Sequence, residues 1–574
     1  MPRFLRVNMQ NLTAHFEDAP MYAGLGGRGL TSLVVAKEVP PRAHPLGAEN
    51  KVVLAPGLLG GTLAPCSGRL SVGAKSPLTG GIKESNAGGT AAQALAQSGI
   101  DALIVEGKPQ SGGTYVLHIK GGSVALEEAH ELRFLSNYKL VARLRKAYGE
   151  HVSCITIGPA GERQLTAASV AVTDLEGRPT RHAGRGGLGA VLGSKGLKAI
   201  VVSPTKHAST SQDRERLRKA AKAFALHLHE HPITGKALPT YGTNILANII
   251  NAVGGYPTRN FSSGQFEGTQ KISGEEERRR IVERGGNPRH ACHHGCTIRC
   301  SRIYVNRQGK FLSKGPEYET VWAHGANCGI DDLDAIARMD LADDDIGLDT
   351  IEMGATFAVA MESGLLDFGD ARGVVALLDE VRKGTDRGRM LGCGAKLTGQ
   401  MLGVARVPVV KGQALPAYDP RAVKGIGVTY ATSPMGADHT AGYTICQNVL
   451  SVGGKVDPLS REGQIEVSRT LQVATAALDS TGLCLFVAFC LLDRPQSMEG
   501  MMDMLNAHLG FTWSLDDFVG LGKKILRAEW AFNDEAGLGR TADRLPRFFQ
   551  NEPLPPHNAI FDIHDTELDR VHEL

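Results

Sequence analysis

An excess of either sign of charge is nearly missing from this chain. Its 63 Lys and Arg stand against 60 Asp and Glu, a formal net charge of +3 over 574 residues. So balanced a chain has no polyelectrolyte footprint, which argues against nucleic acid as a partner. Aromatic residues are also scarce, at 5%. No apolar run approaches the roughly 20 residues that cross a bilayer. The opening residues, Met1 to Asn8, lack the apolar stretch and small-residue cleavage site of a signal peptide. Ten cysteines in so long a chain are too few and too uneven for a disulfide framework. The expectation is a cytoplasmic protein in a reducing compartment, with no membrane insertion.

What is plentiful is glycine, 70 of 574 residues or about 12%, against a usual value near 7%. With no collagen-like period, these glycines must serve turns and close approaches of backbone to a ligand. The hydrophobic fraction is 42%, and the length exceeds what one core supports, so two to four domains are expected.

Three of the few cysteines are bunched. Cys292, Cys296 and Cys300 follow at equal four-residue steps in a stretch rich in His and Arg. Thiolates this close ionise together only when a metal takes the charge, and thiolate sulfur suits iron–sulfur clusters or zinc. A zinc site drawing on His293 or His294 and a reduced trio without metal are the rival readings. The equal steps do not fit a radical-SAM loop.

Residues 1–205 read as β-rich. Val52 to Ala55, Ala102 to Glu106 and Ile200 to Val202 suit buried strands, and 115–126 suits a hairpin turning at Gly121-Gly122. Four glycine-rich loops lie between strands: Gly24 to Gly29, Cys66 to Arg69, Glu84 to Gly89 and Ala183 to Gly189. The arginines in or beside them, Arg28, Arg69 and Arg185, suit phosphate oxygens held by backbone N–H groups and guanidinium forks. Gly24 to Gly29 lacks the preceding strand and the following acidic residue of a dinucleotide fingerprint, so a NAD site is set aside. Helical patterns then dominate, at 213–230, 240–253, 332–346, 350–363 and 465–478, with a loop-rich stretch over 405–437.

Two predicted helix ends share a pattern. Asp344 to Asp349 and Asp479 to Cys484 both read Asp-x-x-Gly-Leu, followed by a residue able to act as a ligand. Gly347 and Gly482 suit the left-handed position that closes a helix. The Asp three residues earlier can accept hydrogen bonds from the N–H groups of a heterocycle. The repetition favours a pair of grips on a paired ligand. Cys484 is then the candidate fourth ligand for the cysteine trio, with Cys490 as the substitute. Cys66, Cys154, Cys328, Cys393 and Cys446 read as core thiols.

These stretches together resemble the aldehyde ferredoxin oxidoreductases, enzymes with tungsten or molybdenum, two pterins and one [4Fe-4S] cluster. The resemblance runs through GGRG, SGR, SNAGG, AGRGGLGAVLGSKGLKAI at 183–200 and GPEYET at 315–320. It continues through both Asp-x-x-Gly-Leu turns, GADH at 436–439 and Glu529 to Asn533. It implies an α+β chain: a β-sandwich-like pterin-binding base over 1–205, then two mainly helical domains over 206–405 and 406–574. It implies that four pterin dithiolene sulfurs hold the metal, without a protein ligand. A Mg2+ ion would bridge the pterin phosphates near the backbone oxygens of Asn86 and Ala183, in the loops that hold Gly88 and Arg185. Arg69 and Arg185 would sit by phosphates; Asp344, Leu348, Asp349, Asp479 and Leu483 would grip the pterins. Cys292, Cys296, Cys300 and Cys484 would hold the cluster.

The implied reaction oxidises an aldehyde to a carboxylic acid, with electrons leaving through the cluster to ferredoxin or an iron–sulfur subunit. The alternative is low-potential reduction of another substrate, such as an aromatic acyl-CoA. Glu319, then Glu317 and His439, are the candidates for moving protons. The chain departs from the resemblance in the first cysteine step, one residue longer than in the best-known members. It also has no Glu-x-x-His near residue 332 to hold a metal between two subunits, so a homodimer would form without one.

Overall fold

The computed structural model describes residues 2–110, 112–205 and 211–574. The boundary expected at 205/206 runs into residues 206–210, outside the described ones.

The first two hundred residues build the same six-stranded sheet twice. The first sheet uses β1 (Arg3–Asn8), β2 (Thr13–Asp18), β3 (Val52–Pro56), β4 (Leu70–Lys75), β5 (Ile82–Ala87) and β6 (Ala102–Glu106) in the order β2-β1-β6-β3-β4-β5. The second uses β7 (Tyr115–Lys120), β8 (Ser123–Glu128), β9 (Ser153–Thr156), β10 (Val170–Val172), β11 (Arg181–Ala183) and β12 (Leu197–Val202) in the order β8-β7-β12-β9-β10-β11. In each, an opening hairpin lies at one edge, and the last strand inserts beside it as the only parallel neighbour. After each hairpin comes a helix, Gly27–Glu38 in the first half and Asn137–Tyr148 in the second.

The inner strands β3, β6 and β12 read as nearly continuous apolar runs because both faces of each sheet are covered there, whereas the edge strands β2 and β8 are largely exposed. Along β1, Leu5 and Val7 point into a core shared with Leu117, Ile155 and Ile200 of the second sheet. Phe4 points the other way, onto Leu30 and Val34 of the helix Gly27–Glu38. In the second half, Val116 and Val201 pack on Leu140 and Leu144 of Asn137–Tyr148. The base is therefore a sandwich of two sheets with a helix outside each.

The rest of the chain is mainly helical, with long helices at Arg214–Glu230, Leu333–Ile346, Thr350–Glu362, Gln464–Thr481 and Leu515–Glu535. Two small sheets interrupt it: β13 (Asn287–His290), β14 (Ser301–Val305) and β15 (Phe311–Ser313), with β13 and β14 antiparallel, and the two-stranded pair β16 (Val409–Val410) and β17 (Gln413–Ala414). The cysteine trio is the loop that joins β13 to β14.

Several local readings need correction. Gly24 to Gly29 is not only a loop, because Gly27, Arg28 and Gly29 start a helix whose N-cap is Gly26. Ser85, Asn86 and Ala87 belong to β5, where they pair with Val72, Ser71 and Leu70 of β4. Within 405–437 a buried helix, Lys424–Thr432, is disguised by Gly425 and Gly427. A Cβ on Gly425 would come 2.4 Å from Asn448 Oδ1, so tight packing requires glycine there in spite of its low helix propensity.

Candidate cofactor and redox site

The two Asp-x-x-Gly-Leu turns dock on the duplicated base in matching ways. Gly347 and Gly482 both close their helices in the left-handed conformation, with φ of 82° and 80°. Gly347 O accepts from the Ser169 N–H at 2.9 Å, and the Asp349 N–H donates to Ala167 O at 2.9 Å. Gly482 O accepts from the Arg69 N–H at 3.1 Å, and the Cys484 N–H donates to Cys66 O at 2.8 Å. Each turn also lies against a glycine just beyond the third strand of a half. A Cβ on Gly57 would fall 2.0 Å from Gly482 N, and one on Gly158 2.0 Å from Ile346 O. The turns thus sit at equivalent positions of the repeat, one on each half. Leu348 forms an antiparallel bridge with Ala168, and Leu483 is buried beside the other turn.

Each Asp of the pair is held by cations, with different outcomes. Asp344 meets Lys314 Nζ at 2.9 and 3.0 Å and His182 Nε2 at 3.2 Å. Burial works to raise its carboxyl, but Lys314 and His182 outweigh it and keep the group below its ordinary value. Asp479 has only Arg28 close by, at 3.6 Å. Burial, then the charge of Glu84, pushes it up to about 8. Arg28 is not a phosphate fork: it is buried and grips Glu529 at 3.0 and 2.7 Å.

The other two arginines are likewise engaged by protein. Arg69 donates from Nε to Asn86 Oδ1 at 2.7 Å and from Nη2 to the Asn86 carbonyl at 3.1 Å. Arg185 donates to Asp349 at 3.2 Å, to Ala437 O at 2.7 Å and to Ala414 O at 2.6 Å. Asn86 and Ala183 end up near each other because β5 of one sheet lies against β11 of the other. Between Ala183 and Arg185, a Cβ on Gly184 would meet nothing within 4 Å, whereas one on Gly186 would strike Lys83 at 2.4 Å. The open side of this loop, backed by an arginine and two strand ends, fits a phosphate-bearing group.

The thiols gather on the first-half side. The Cys292 and Cys296 sulfurs and a His293 nitrogen lie within 4.8 Å of one another, and Cys292 Sγ is 3.1 Å from His293 Nδ1. Cys484 is tied to the loop of the trio through Cys66, whose carbonyl accepts from the Cys484 N–H and whose N–H donates to Gly295 O. Burial, then the nearby Glu317, Cys292, Cys296 and Cys484, raises the Cys300 thiol well above its ordinary value. Cys484 is pushed up to about 11 by burial and Cys292 to about 12 by its hydrogen bond with Cys296 and by burial. Buried thiols so costly to ionise become thiolates when metal replaces their protons, and four of them around one space fit an iron–sulfur cluster. Gly88 keeps this space clear, for a Cβ there would be 3.3 Å from Cys292 Sγ and 3.4 Å from Arg69 Nη1. Cys490 instead pairs its sulfur with Ser497 Oγ at 3.1 Å.

Cys66, expected to be an isolated core thiol, is part of this group. Its N–H donates to Gly295 O at 2.9 Å, its carbonyl accepts from Cys484, and its sulfur is 3.4 Å from Thr297 Oγ1, beside Cys296. It holds φ at 62°, an uncommon conformation for a residue with a side chain. Nothing in its sequence neighbourhood signals this, since the contacts cross 200 residues or more.

The third component is a carboxylate and an imidazole. Glu319 Oε1 and His439 Nε2 are 3.5 Å apart. Glu319 Oε2 accepts from the Ala417 N–H at 3.0 Å, while Glu319 Oε1 and His439 Nδ1 are buried without a hydrogen-bond partner among the described residues. Burial pushes Glu319 up to about 8 and outweighs Asp438 to push His439 down to about 4. At neutral pH the acid therefore keeps its proton and the imidazole is uncharged. Asp438 sets the imidazole in place by holding Lys83 at 2.7 Å and capping the turn that starts at His439. Tyr418 and Tyr443, bonded through their hydroxyls at 2.7 Å, stand 6.1 and 6.2 Å from the imidazole, ring centre to ring centre. Glu317 is elsewhere: it precedes the helix Tyr318–His324 without a side-chain bond to it, accepts from Thr243 Oγ1 at 2.6 Å and lies near Cys300.

Comparison with known proteins matches this architecture. Residues 4–204 fit the family description "Aldehyde ferredoxin oxidoreductase, N-terminal domain", and residues 219–573 fit "Aldehyde ferredoxin oxidoreductase, domains 2 & 3". The tungsten-containing aldehyde ferredoxin oxidoreductase of Thermococcus kodakarensis is 38% identical, the match covering 96% of this chain and 92% of that protein. The enzyme of the same name from Pyrococcus furiosus is 36% identical over the same shares. The WOR-like subunit of an aliphatic sulfonate oxidoreductase from Pyrococcus furiosus is 26% identical, covering 72% of this chain and 70% of that one. Among solved structures, the active-site complex BamBC of benzoyl-coenzyme A reductase with 1,5-dienoyl-CoA has the same fold. Its TM-score is 0.80 at 19% identity, covering 99% of this chain and 93% of that one. Two matched family domains spanning nearly the whole sequence, with relatives above one-third identity over nearly all of it, establish that the chain belongs to the aldehyde ferredoxin oxidoreductase family.

Proposed function

We propose that this protein oxidises an aldehyde to the carboxylic acid at a tungsten or molybdenum bis-pterin centre. Water supplies the added oxygen; two electrons leave one at a time through a [4Fe-4S] cluster to ferredoxin or an iron–sulfur subunit, and two protons are released. One observation carries this reading: two matched Asp turns rest on a duplicated base, and four thiols gather beside one of them.

Asp344 and Asp479 would accept hydrogen bonds from the N–H groups of the two pterins, with Leu348, Asp349 and Leu483 beside them. Arg69, Gly88 and Arg185 would border the phosphates and the cluster. The Asn86 and Ala183 carbonyls would face Mg2+. Cys292, Cys296, Cys300 and Cys484 would bind the cluster iron. When bound, the metal centre would supply the oxygen-transfer and two-electron chemistry. Glu319, protonated near pH 7, would donate a hydrogen bond from Oε1 to the aldehyde carbonyl and polarise it. His439, neutral and with Nδ1 unpartnered, would take up the proton released as the acid forms. Glu317 is better suited to the electrostatics of the cluster.

Metal and pterin analysis of anaerobically purified protein, followed by an aldehyde panel with a viologen dye, tests the reading. Tungsten or molybdenum, about four irons per chain and dye reduction support it. Zinc alone would instead favour the tight Cys292, His293 and Cys296 group as a single-ion site. Pterin and iron without turnover of any aldehyde would move the activity toward reduction of another substrate.

A further inference from the structure

The loop that carries the thiols also carries charge that the site does not use. A cleft of about 530 Å3 opens over Cys296, bordered by Arg289, His294, Thr297 and Arg299, with no carboxylate in its lining. Arg289 and Arg299 are exposed, and neither guanidinium has a carboxylate partner among the described residues. The nearby acid, Glu176, is taken up by His290 at 2.8 Å and Arg178 at 2.8 Å. Arg299 is presented by a strained turn: its φ is 54°, and its N–H donates to Cys296 Sγ at 3.4 Å. Leu63, 44% exposed, lies one residue from Ala64, whose carbonyl is beside Gly295. Elsewhere most arginines spend their charge on carboxylates, as Arg279 and Arg284 do.

From this patch we infer an electron-exit dock: the Arg289–Arg299 face receives a small acidic redox protein over Cys296. Two unpaired guanidiniums and an apolar neighbour give a partner with surface Asp and Glu both steering and contact area. The thiol in the floor of the cleft gives such a partner a direct approach to the cluster. In each encounter the oxidised carrier gains one electron and the cluster loses one, so each aldehyde requires two encounters. This inference rests on the reading of the four thiols as cluster ligands.

The test compares the wild-type holoenzyme with Arg289→Glu/Arg299→Glu, using an acidic [4Fe-4S] ferredoxin as probe and a bis-sulfonated zwitterionic viologen dye, which has no net charge when oxidised, as control. Neither arginine takes part in the proposed catalysis, so aldehyde turnover with the dye is expected to be unchanged. The KM for ferredoxin is expected to rise by about tenfold or more, mainly through slower association, and its salt dependence to flatten. An unaltered ferredoxin KM and salt slope, with dye turnover intact, would overturn the dock. Should the wild type turn over no aldehyde, the functional reading fails by itself, and low-salt binding of oxidised ferredoxin decides the dock. Weaker binding by the double variant supports it; equal binding by both proteins refutes it. Single Arg289→Gln and Arg299→Gln variants, expected to show intermediate losses, cover the case in which the charge reversal prevents folding.

Discussion

The backbone N–H of Cys484 donates to the carbonyl of Cys66 at 2.8 Å, and the Cys66 N–H donates to Gly295 in the loop of the other three thiols. One residue of the base therefore ties together the two segments, nearly 200 residues apart, that carry the four thiols. That tie separates thiols that bind from a thiol that positions.

Cys484→Ala is expected to lose cluster iron and the broad visible absorbance of the cluster. Cys66→Ala, which keeps every backbone bond, is expected to retain at least most of it. Iron per chain and the visible spectrum decide the matter; equal loss in both variants would make Cys66 a ligand.

Glu319→Gln should lower turnover by about 10²- to 10⁴-fold, the usual contribution of a positioned proton donor. In the wild type the acid form is present below about 8 and lost as pH rises through that value. A descending limb of kcat/KM near pH 8 is therefore expected, and its persistence in the Gln variant would remove Glu319 from the proton chemistry. The same shift affects folding. The folded state holds this proton between the ordinary carboxylate value near 4.5 and about 8, while the unfolded chain has lost it. Stability consequently falls as pH rises across that window, and the Gln variant should show a shallower fall.

Glu529→Ala leaves Arg28 buried without its bidentate partner, and is expected to cost about 3–5 kcal/mol. Arg28→Met/Glu529→Leu should recover part of the loss, because the apolar pair removes both charges, while Asp479 loses its neighbouring cation and Ser32 its acceptor. Denaturant unfolding of all three proteins tests this; a single variant as stable as wild type would contradict it.

Gly158→Ala would drive a methyl group to 2.0 Å from Ile346 O, and Gly57→Ala would do the same at Gly482 N. Each should destabilise by about 1–3 kcal/mol by overpacking, seen as a lower Tm. Gly121→Ala, at a hairpin tip where a Cβ meets nothing within 4 Å, is the control. It carries only the backbone strain of its positive φ of 55°.

What the sequence makes legible here is local. Helix ends at Gly347 and Gly482 can be read because one residue type dominates the left-handed cap, and the cysteine trio because its spacing is short. Buried strands such as Val52–Pro56 and Ala102–Glu106 stand out as unbroken apolar runs, since both faces are covered. The duplication of the base is hard to read, because what the two halves share most clearly is strand order, set by pairing between distant segments. Arg28 resembles a phosphate fork until its partner Glu529, 501 residues away, is brought to it by folding. The Ser85–Ala87 strand looks like a loop because its polar residues are satisfied by Arg69 and the β4 ladder.

The two docked turns match in backbone but not in their last residue. Where one half offers the sulfur of Cys484, the other offers the carboxylate of Asp349, already bound to Arg185. A near-symmetric cradle is thereby given a front and a back. Two otherwise comparable cofactor positions would differ in what they can conduct, and reducing equivalents would have a single outlet. Moving that outlet to the opposite half would take a set of thiols there, together with removal of a salt link, rather than one exchange of residues.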